Sequence, residues 1–206
     1  MRSELLRLDR ISKSYERDQV LKYVDLTIYQ GDIHALMGMN GVGKSTLLQI
    51  ITGHASFDRG QFRFQDIPVR FSGPQDATRL GIYLMETIPM VVPQLDLAEN
   101  VVPWIYGHRS FLYHSGSTHR YVQELLEDFR LTDRLDACTP GWQLSAWDRQ
   151  TVRVLCAAAS RAKLLVIDEP FSILDGNGAA AFKKILLHAR DCGLTILFTS
   201  HSFQNV

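Results

Sequence analysis

The chain predicts an α/β fold: a mostly parallel sheet with helices on both faces, joined to an N-terminal antiparallel β subdomain and a helical subdomain. Three observations lead there. Short apolar runs alternate with helix-periodic ones, residues 33–37 before 44–52 and residues 164–167 before 178–190, and such alternation implies parallel strands covered by crossover helices. A glycine-containing loop links the first of these strands directly to its helix. The length, 206 residues with 46% hydrophobic and 21% charged, suits one sizeable globular domain and argues against disorder.

Taken in order, residues 5–8 and 24–29 alternate in polarity, as half-buried strands do, and the second ends at Gln30-Gly31-Asp32. Residues 33–37 form a compact apolar run, and residues 44–52 read as a helix stopped by Gly53. Residues 61–69 alternate again and predict one more antiparallel strand. From about 85 to 145 strand signals fade, and a helical subdomain is expected as an insertion. Within it Ser117 or Thr118 caps a helix to about 129, with Tyr121, Leu125 and Leu126 on one face. A helix over 150–161, a buried strand over 164–167, a helix over 178–190 and a strand over 195–198 complete the domain. Phe182, Ile185, Leu186 and Ala189 give the last helix its apolar face. No internal repeat or low-complexity tract interrupts this order.

Lysine plus arginine and aspartate plus glutamate are equal, at 22 each. No global field therefore draws the protein to nucleic acid or anionic lipid, and no nucleic-acid partner is expected. Cys138, Cys156 and Cys192 are sparse, odd in number and far apart, the pattern of reduced thiols in a cytoplasmic protein. The first ten residues hold no apolar core suited to a signal peptide. No run approaches the roughly 20 apolar residues a membrane span needs. A membrane is expected to be met only through a partner.

Gly38-Met39-Asn40-Gly41-Val42-Gly43-Lys44-Ser45 fits G-x-x-x-x-G-K-[ST] without a mismatch, between a strand and a helix. Glycines at Gly38, Gly41 and Gly43 let the backbone curl so that its N–H groups face phosphate oxygens, and the helix adds its positive N-terminal dipole. Asn40 and Thr46 belong to the same cradle. In this motif the Lys44 ammonium neutralises the outer phosphates of a nucleotide, and the Ser45 hydroxyl is a ligand for Mg²⁺. The apolar run 164–167 ends in Asp168 and Glu169, at the strand tip where open α/β sheets bind ligands. Asp168 is a second Mg²⁺ holder. Glu169 orients or deprotonates the attacking water, a role worth about 10²–10⁴-fold in rate.

With both motifs in place, the chain resembles an ATP-binding cassette over nearly its whole length. The resemblance implies a P-loop NTPase fold, with ATP and Mg²⁺ as ligands. It implies that Tyr15, in Ser12-Lys13-Ser14-Tyr15, stacks on adenine. It implies that Ser172-Ile173-Leu174-Asp175 is a loop crossing between two cassettes, and that His201, in Thr199-Ser200-His201, is the switch histidine near the γ-phosphate. Segments 31–38 and 81–84, with Pro93-Gln94-Leu95 and Ala98-Glu99-Asn100, are similar to the first cassette of ribose-, galactoside- or autoinducer-type importers. The partners so implied are transmembrane permease subunits, a second cassette in a homo- or tandem dimer and, indirectly, a periplasmic or lipoprotein solute-binding protein. The site of action so implied is the cytoplasmic face of the cell membrane, as a peripheral subunit. Residues 1–206 are expected to form a single nucleotide-binding domain that lacks the C-terminal end of such a cassette.

Two segments depart from the family pattern. The signature, usually LSGGQ, reads Leu144-Ser145-Ala146-Trp147-Asp148. It retains Ser145, which would grip the γ-phosphate bound by the opposite cassette, but puts an indole where glycine permits close approach. The usual Q-loop glutamine position falls on Thr87, next to Glu86. Two readings stay open: a transport ATPase for which Lys44, Glu169 and His201 are catalytic, or a degenerate regulatory cassette that binds ATP with little hydrolysis.

Overall fold

The computed structural model describes residues 3–85, 91–106 and 114–201. The chain falls into two compact units, residues 1–87 with 163–170 and 193–206, and residues 88–162 with 171–192.

The first unit carries two sheets. β1 (Glu4–Tyr15) and β2 (Asp18–Tyr29) form a long antiparallel hairpin. β4 (Arg59–Phe64) and β5 (Ile67–Pro68) extend it in the order β2-β1-β4-β5. The single strand expected over 61–69 is instead a hairpin. Gln65 and Asp66 both take positive φ, 50° and 62°, and Phe64 pairs with Ile67 across them. A two-residue turn with both φ values positive matches the twist of the flanking strands. Alternation of polarity continues through such a tight turn, which is why the break is silent in the pattern.

The second sheet is parallel, ordered β3-β8-β7-β6, from β3 (Ile33–Met37), β8 (Thr195–Ser200), β7 (Leu164–Ile167) and β6 (Ile82–Met85). Central β7 and β8 are buried at every position, whereas edge β3 is half-buried throughout. This is the signature of inner parallel strands, whose two faces are both covered. β6 and the short helix α2 (Pro74–Leu80) lie outside the predicted elements. β6 owes its place to pairing with β7, Ile82 opposite Leu164, a partner 82 positions away that no local pattern announces. The helix α1 (Lys44–Ile51) buries Leu47, Leu48, Ile50 and Ile51. They share one core with Leu6, Leu8, Ile28, Phe62 and Phe64 of the antiparallel sheet and Ile82, Leu164, Val166 and Leu197 of the parallel one.

The second unit is helical: α3 (Leu97–Tyr106), α4 (Ser115–Asp128), α5 (Ala146–Ala159) and α6 (Gly176–Asp191), with a 3-10 turn at Gly141–Gln143. α3 packs on α4 and α5, and α5 on α6, so two helices beyond residue 145 join those of the insertion. Asp96 caps α3 reciprocally with Glu99, its carboxylate accepting from Glu99 N at 2.8 Å and its own N–H donating to Glu99 Oε2 at 3.0 Å. α4 begins at His114 as N-cap rather than at Ser117 or Thr118, and it buries Thr118, Val122 and Leu126. α5 starts four residues before the expected Gln150 because Ser145 and Asp148 form a complete capping box. Aspartate stands there in place of the usual Glu or Gln. α6 is capped by Asp175, which accepts from Gly178 N at 2.7 Å, and buries the predicted Phe182, Ile185, Leu186 and Ala189.

Candidate functional site

The first unit brings most of the sequence-predicted residues to one place, the C-terminal ends of β3, β7 and β8. Between β3 and α1 the chain curls through Gly41 and Gly43 at φ 81° and 98°. At Gly43 a Cβ would stand 2.7 Å from Leu21 Cδ2 and 3.1 Å from the Val20 carbonyl, so only glycine combines this φ with this approach to β2. Gly43 is also the N-cap of α1, with no side chain bonded to the helix start and no acid in its first turn. The helix thus presents backbone N–H groups and its positive dipole end to the cleft, as an anion requires. Lys44 reaches back over the loop, and its Nζ donates to the carbonyls of Gly38 at 2.6 Å and Met39 at 2.9 Å. The ammonium is therefore held at the loop instead of ranging into solvent.

Opposite the loop, β7 delivers its two acids. Asp168 accepts from Ser45 Oγ at 3.1 Å and from Thr199 Oγ1 at 2.6 Å. Glu169 leaves the strand with φ 49°, a left-handed conformation that costs a non-glycine residue roughly 1–2 kcal/mol. Its N–H donates to the same Thr199 Oγ1 at 2.9 Å, which offsets part of that cost. Its carboxylate then accepts from His201 Nδ1 at 2.8 Å. One hydroxyl on β8 thus sets both acids on β7. Val20, Asn40, Gly41, Gly43, Lys44, Ser45, Thr46, Asp168 and Glu169 line a cleft of about 310 Å³.

The donor set fits a Mg²⁺–nucleotide pair. Ser45 Oγ and the Asp168 carboxylate converge as two hard oxygen ligands, beside a helix N-terminus and a fixed ammonium that suit phosphate. Thr199 is the member that sequence reasoning passed over. No local pattern marks it: its burial and its approach to Asp168 and Glu169 arise only when β8 takes its place beside β7.

Other expected residues do not line that cleft. Tyr15 ends β1 at 43% exposure, with Lys13 Nζ 5.1 Å from its ring centre, and it does not line the cleft. Gly38 closes the loop on β8, its N–H pointing to the Ser200 carbonyl at 3.4 Å. Ser145 belongs to the helical unit, at the start of α5. There the Trp147 indole is partly buried, with the Arg134 guanidinium 4.2 Å from its ring centre. The departures read at Glu86 and Thr87 fall outside the described residues. Among the described residues no helix is long and apolar enough to cross a membrane.

Comparison with known proteins gives the same outline. The family described as ABC transporter matches residues 21–172. The ribose import ATP-binding protein RbsA 2 of Streptomyces avermitilis is 34% identical over 204 residues, covering 98% of this chain and 40% of that protein. The fructose import ATP-binding protein FruK of Bifidobacterium longum is 34% identical over 191 residues, covering 91% of this chain and 36% of its own. The chain thus spans about two fifths of the length of the curated relatives it matches. Among solved structures, cbiO1 from Clostridium perfringens, part of the ABC transporter complex cbiONQ, superposes with a TM-score of 0.85 at 23% identity. The match covers 99% of this chain and 81% of that one, a likeness of fold.

Proposed function

This chain belongs to the ABC transporter family, and from that premise we propose that it binds Mg·ATP and hydrolyses it to energise carbohydrate import. The observation that carries the reading is the hydrogen-bonded chain Ser45–Asp168–Thr199–Glu169–His201 beside the Lys44 loop. Lys44 and the N-terminus of α1 bind the phosphates and offset their charge. Ser45 and Asp168 would hold Mg²⁺, which would supply electrostatic stabilisation of the phosphate oxygens. Glu169 takes the proton of the attacking water, and His201, bonded to the Glu169 carboxylate, orients that base and contacts the terminal phosphate. Tyr15 would stack on the adenine.

The start of α5 would complete the site of a second cassette, which makes activity dimeric. Transmembrane permease subunits would dock on the helical unit at the cytoplasmic face of the membrane, with a solute-binding protein acting through them. Relatives named for ribose and fructose import favour a sugar as cargo. Trp147 at the start of α5 favours a second reading, a regulatory cassette that binds ATP with little turnover.

Steady-state hydrolysis of Mg·ATP over a range of protein concentrations, with Glu169→Gln in parallel, separates the two. The transport ATPase predicts a rate that rises more steeply than linearly with protein and collapses in the variant. A flat rate, equal in both proteins although ATP is bound, supports the regulatory cassette.

A further inference from the structure

At the start of α5 the Ser145–Asp148 cap is joined by a third side chain, that of Arg134. This arginine sits in the loop after α4, with its side chain 53% exposed. Its Nε donates to Asp148 Oδ1 at 2.6 Å, and its Nη2 lies 3.3 Å from both Asp148 Oδ2 and Ser145 Oγ. Ser145 in turn donates its hydroxyl proton to Asp148 Oδ2 at 2.6 Å and accepts from Asp148 N at 3.2 Å. The serine, the acid and the arginine thus share one closed set of bonds.

The indole of Trp147 carries the guanidinium on its face, 4.2 Å from ring centre to Cζ. On the α6 side the indole lies beside Gly178, where an added Cβ would meet Trp147 Cδ1 at an ordinary contact distance of 3.6 Å. Its Nε1 is buried without a hydrogen-bond partner; packing and stacking hold the ring. A hollow of about 620 Å³, bordered by Arg134, Ser145, Trp147, Asp175 and Gly178, opens beside this set.

We propose that Arg134 is a positioning residue that locks Ser145 at the start of α5, and that Trp147 is the platform that holds Arg134 there. The physical case is geometric. A planar guanidinium meets a carboxylate and a hydroxyl with several donors at once and lies flat on an aromatic face, which an ammonium cannot do. A tryptophan at the glycine position is then part of a device, not a loss. The inference rests on the reading above, in which the start of α5, capped by Ser145, completes the nucleotide site of a second copy of this chain.

The test uses the 206-residue chain as wild type, Arg134→Ala, Arg134→Gln, Ser145→Ala, the double variant Arg134→Ala with Ser145→Ala, and Glu169→Gln. For each, kcat and KM for Mg·ATP, the affinity of the chain for a fluorescent ATP analogue, and Tm are measured. Arg134→Gln keeps an aliphatic stem over the indole and carries the test if the alanine variant fails to fold.

The expected result is a fall in kcat of up to about 10²-fold, the scale set by a misplacement of about 1 Å, with analogue affinity unchanged. The double variant is expected to fall no further than Ser145→Ala alone, because two residues acting through one contact are not additive. A kcat equal to wild type, a parallel loss of affinity and Tm, or independent effects that multiply would overturn the role of Arg134 and leave the functional reading standing. Hydrolysis no greater in wild type than in Glu169→Gln would remove that reading, and this inference with it.

Discussion

Thr199 shows how one side chain can organise a site that is read through its neighbours. Its Oγ1 donates to Asp168 and accepts from the Glu169 N–H, and the residue is fully buried. Thr199→Val keeps the shape and removes both bonds, so Asp168 and the Glu169 N–H each lose one hydrogen bond. The expected loss is about 1–3 kcal/mol of stability, read as a shifted urea midpoint, together with slower hydrolysis. A variant with an unchanged midpoint would show that solvent replaces the hydroxyl. His119 offers a second residue-scale test. Its Nδ1 faces the Ser115 carbonyl and its Nε2 faces Asp96 Oδ2, each at 2.8 Å. Both neighbours accept, so both ring nitrogens donate and the imidazolium is favoured. The hydrogen bond to Asp96, then that to Ser115, raise its pKa above the ordinary 6.5, against burial. A raised folded value means the stabilisation is complete below the unfolded value and is lost as pH rises through the folded one. The stability difference between wild type and His119→Asn should therefore shrink from pH 6 towards alkaline pH. A difference independent of pH would contradict this.

At the scale of the element, local chemistry sets the boundaries. α5 begins where Ser145 and Asp148 cap it, and Asp148 carries the opposite pH sign to His119. Burial pushes its carboxyl up, but the hydrogen bonds from Arg134 and Ser145 outweigh this and leave it below the usual carboxylate value. Its contribution is present above the unfolded value and is lost as pH falls through the lower folded one. The β4–β5 turn places Gln65 and Asp66 in a conformation that Asn-Gly adopts with less strain. Replacing both, Gln65→Asn with Asp66→Gly, should raise stability by about 1 kcal/mol, measured by thermal or urea unfolding. A loss of stability would mean that the entropy of the new glycine, with the loss of the bond from Lys163 Nζ to Gln65 Oε1 at 2.7 Å, outweighs the relieved strain. β6 makes the converse point, since its four residues become a strand through their partner and not through their own pattern.

For the molecule as a whole, charge is the property written most directly in the composition. With 22 basic and 22 acidic residues the formal net charge at pH 7 is zero, so little net repulsion keeps copies apart near neutrality. Solubility at low salt should pass through a minimum near pH 7 and rise on either side, as read by light scattering. A monotonic trend would point to local patches as the controlling feature.

The sequence by itself determined the motifs and their order along the chain. Gly38 to Ser45 between a strand and a helix, and Asp168 with Glu169 at the end of an apolar run, are legible because neighbouring residues act together there. The helical faces of α1 and α6 were legible for the same reason, since spacing alone places apolar side chains on one side. Only the tertiary structure decided what depends on residues far apart in the chain. It made β6 a strand, split residues 61–69 into a hairpin, and brought Thr199 to Asp168 and Glu169 from 31 and 30 positions away. It also set Arg134 on Trp147, 13 positions apart, beside the bonds that Arg134 makes to Asp148 and Ser145. Such contacts are selected by burial and by the need to satisfy buried polar groups, and neither quantity exists until the chain has folded.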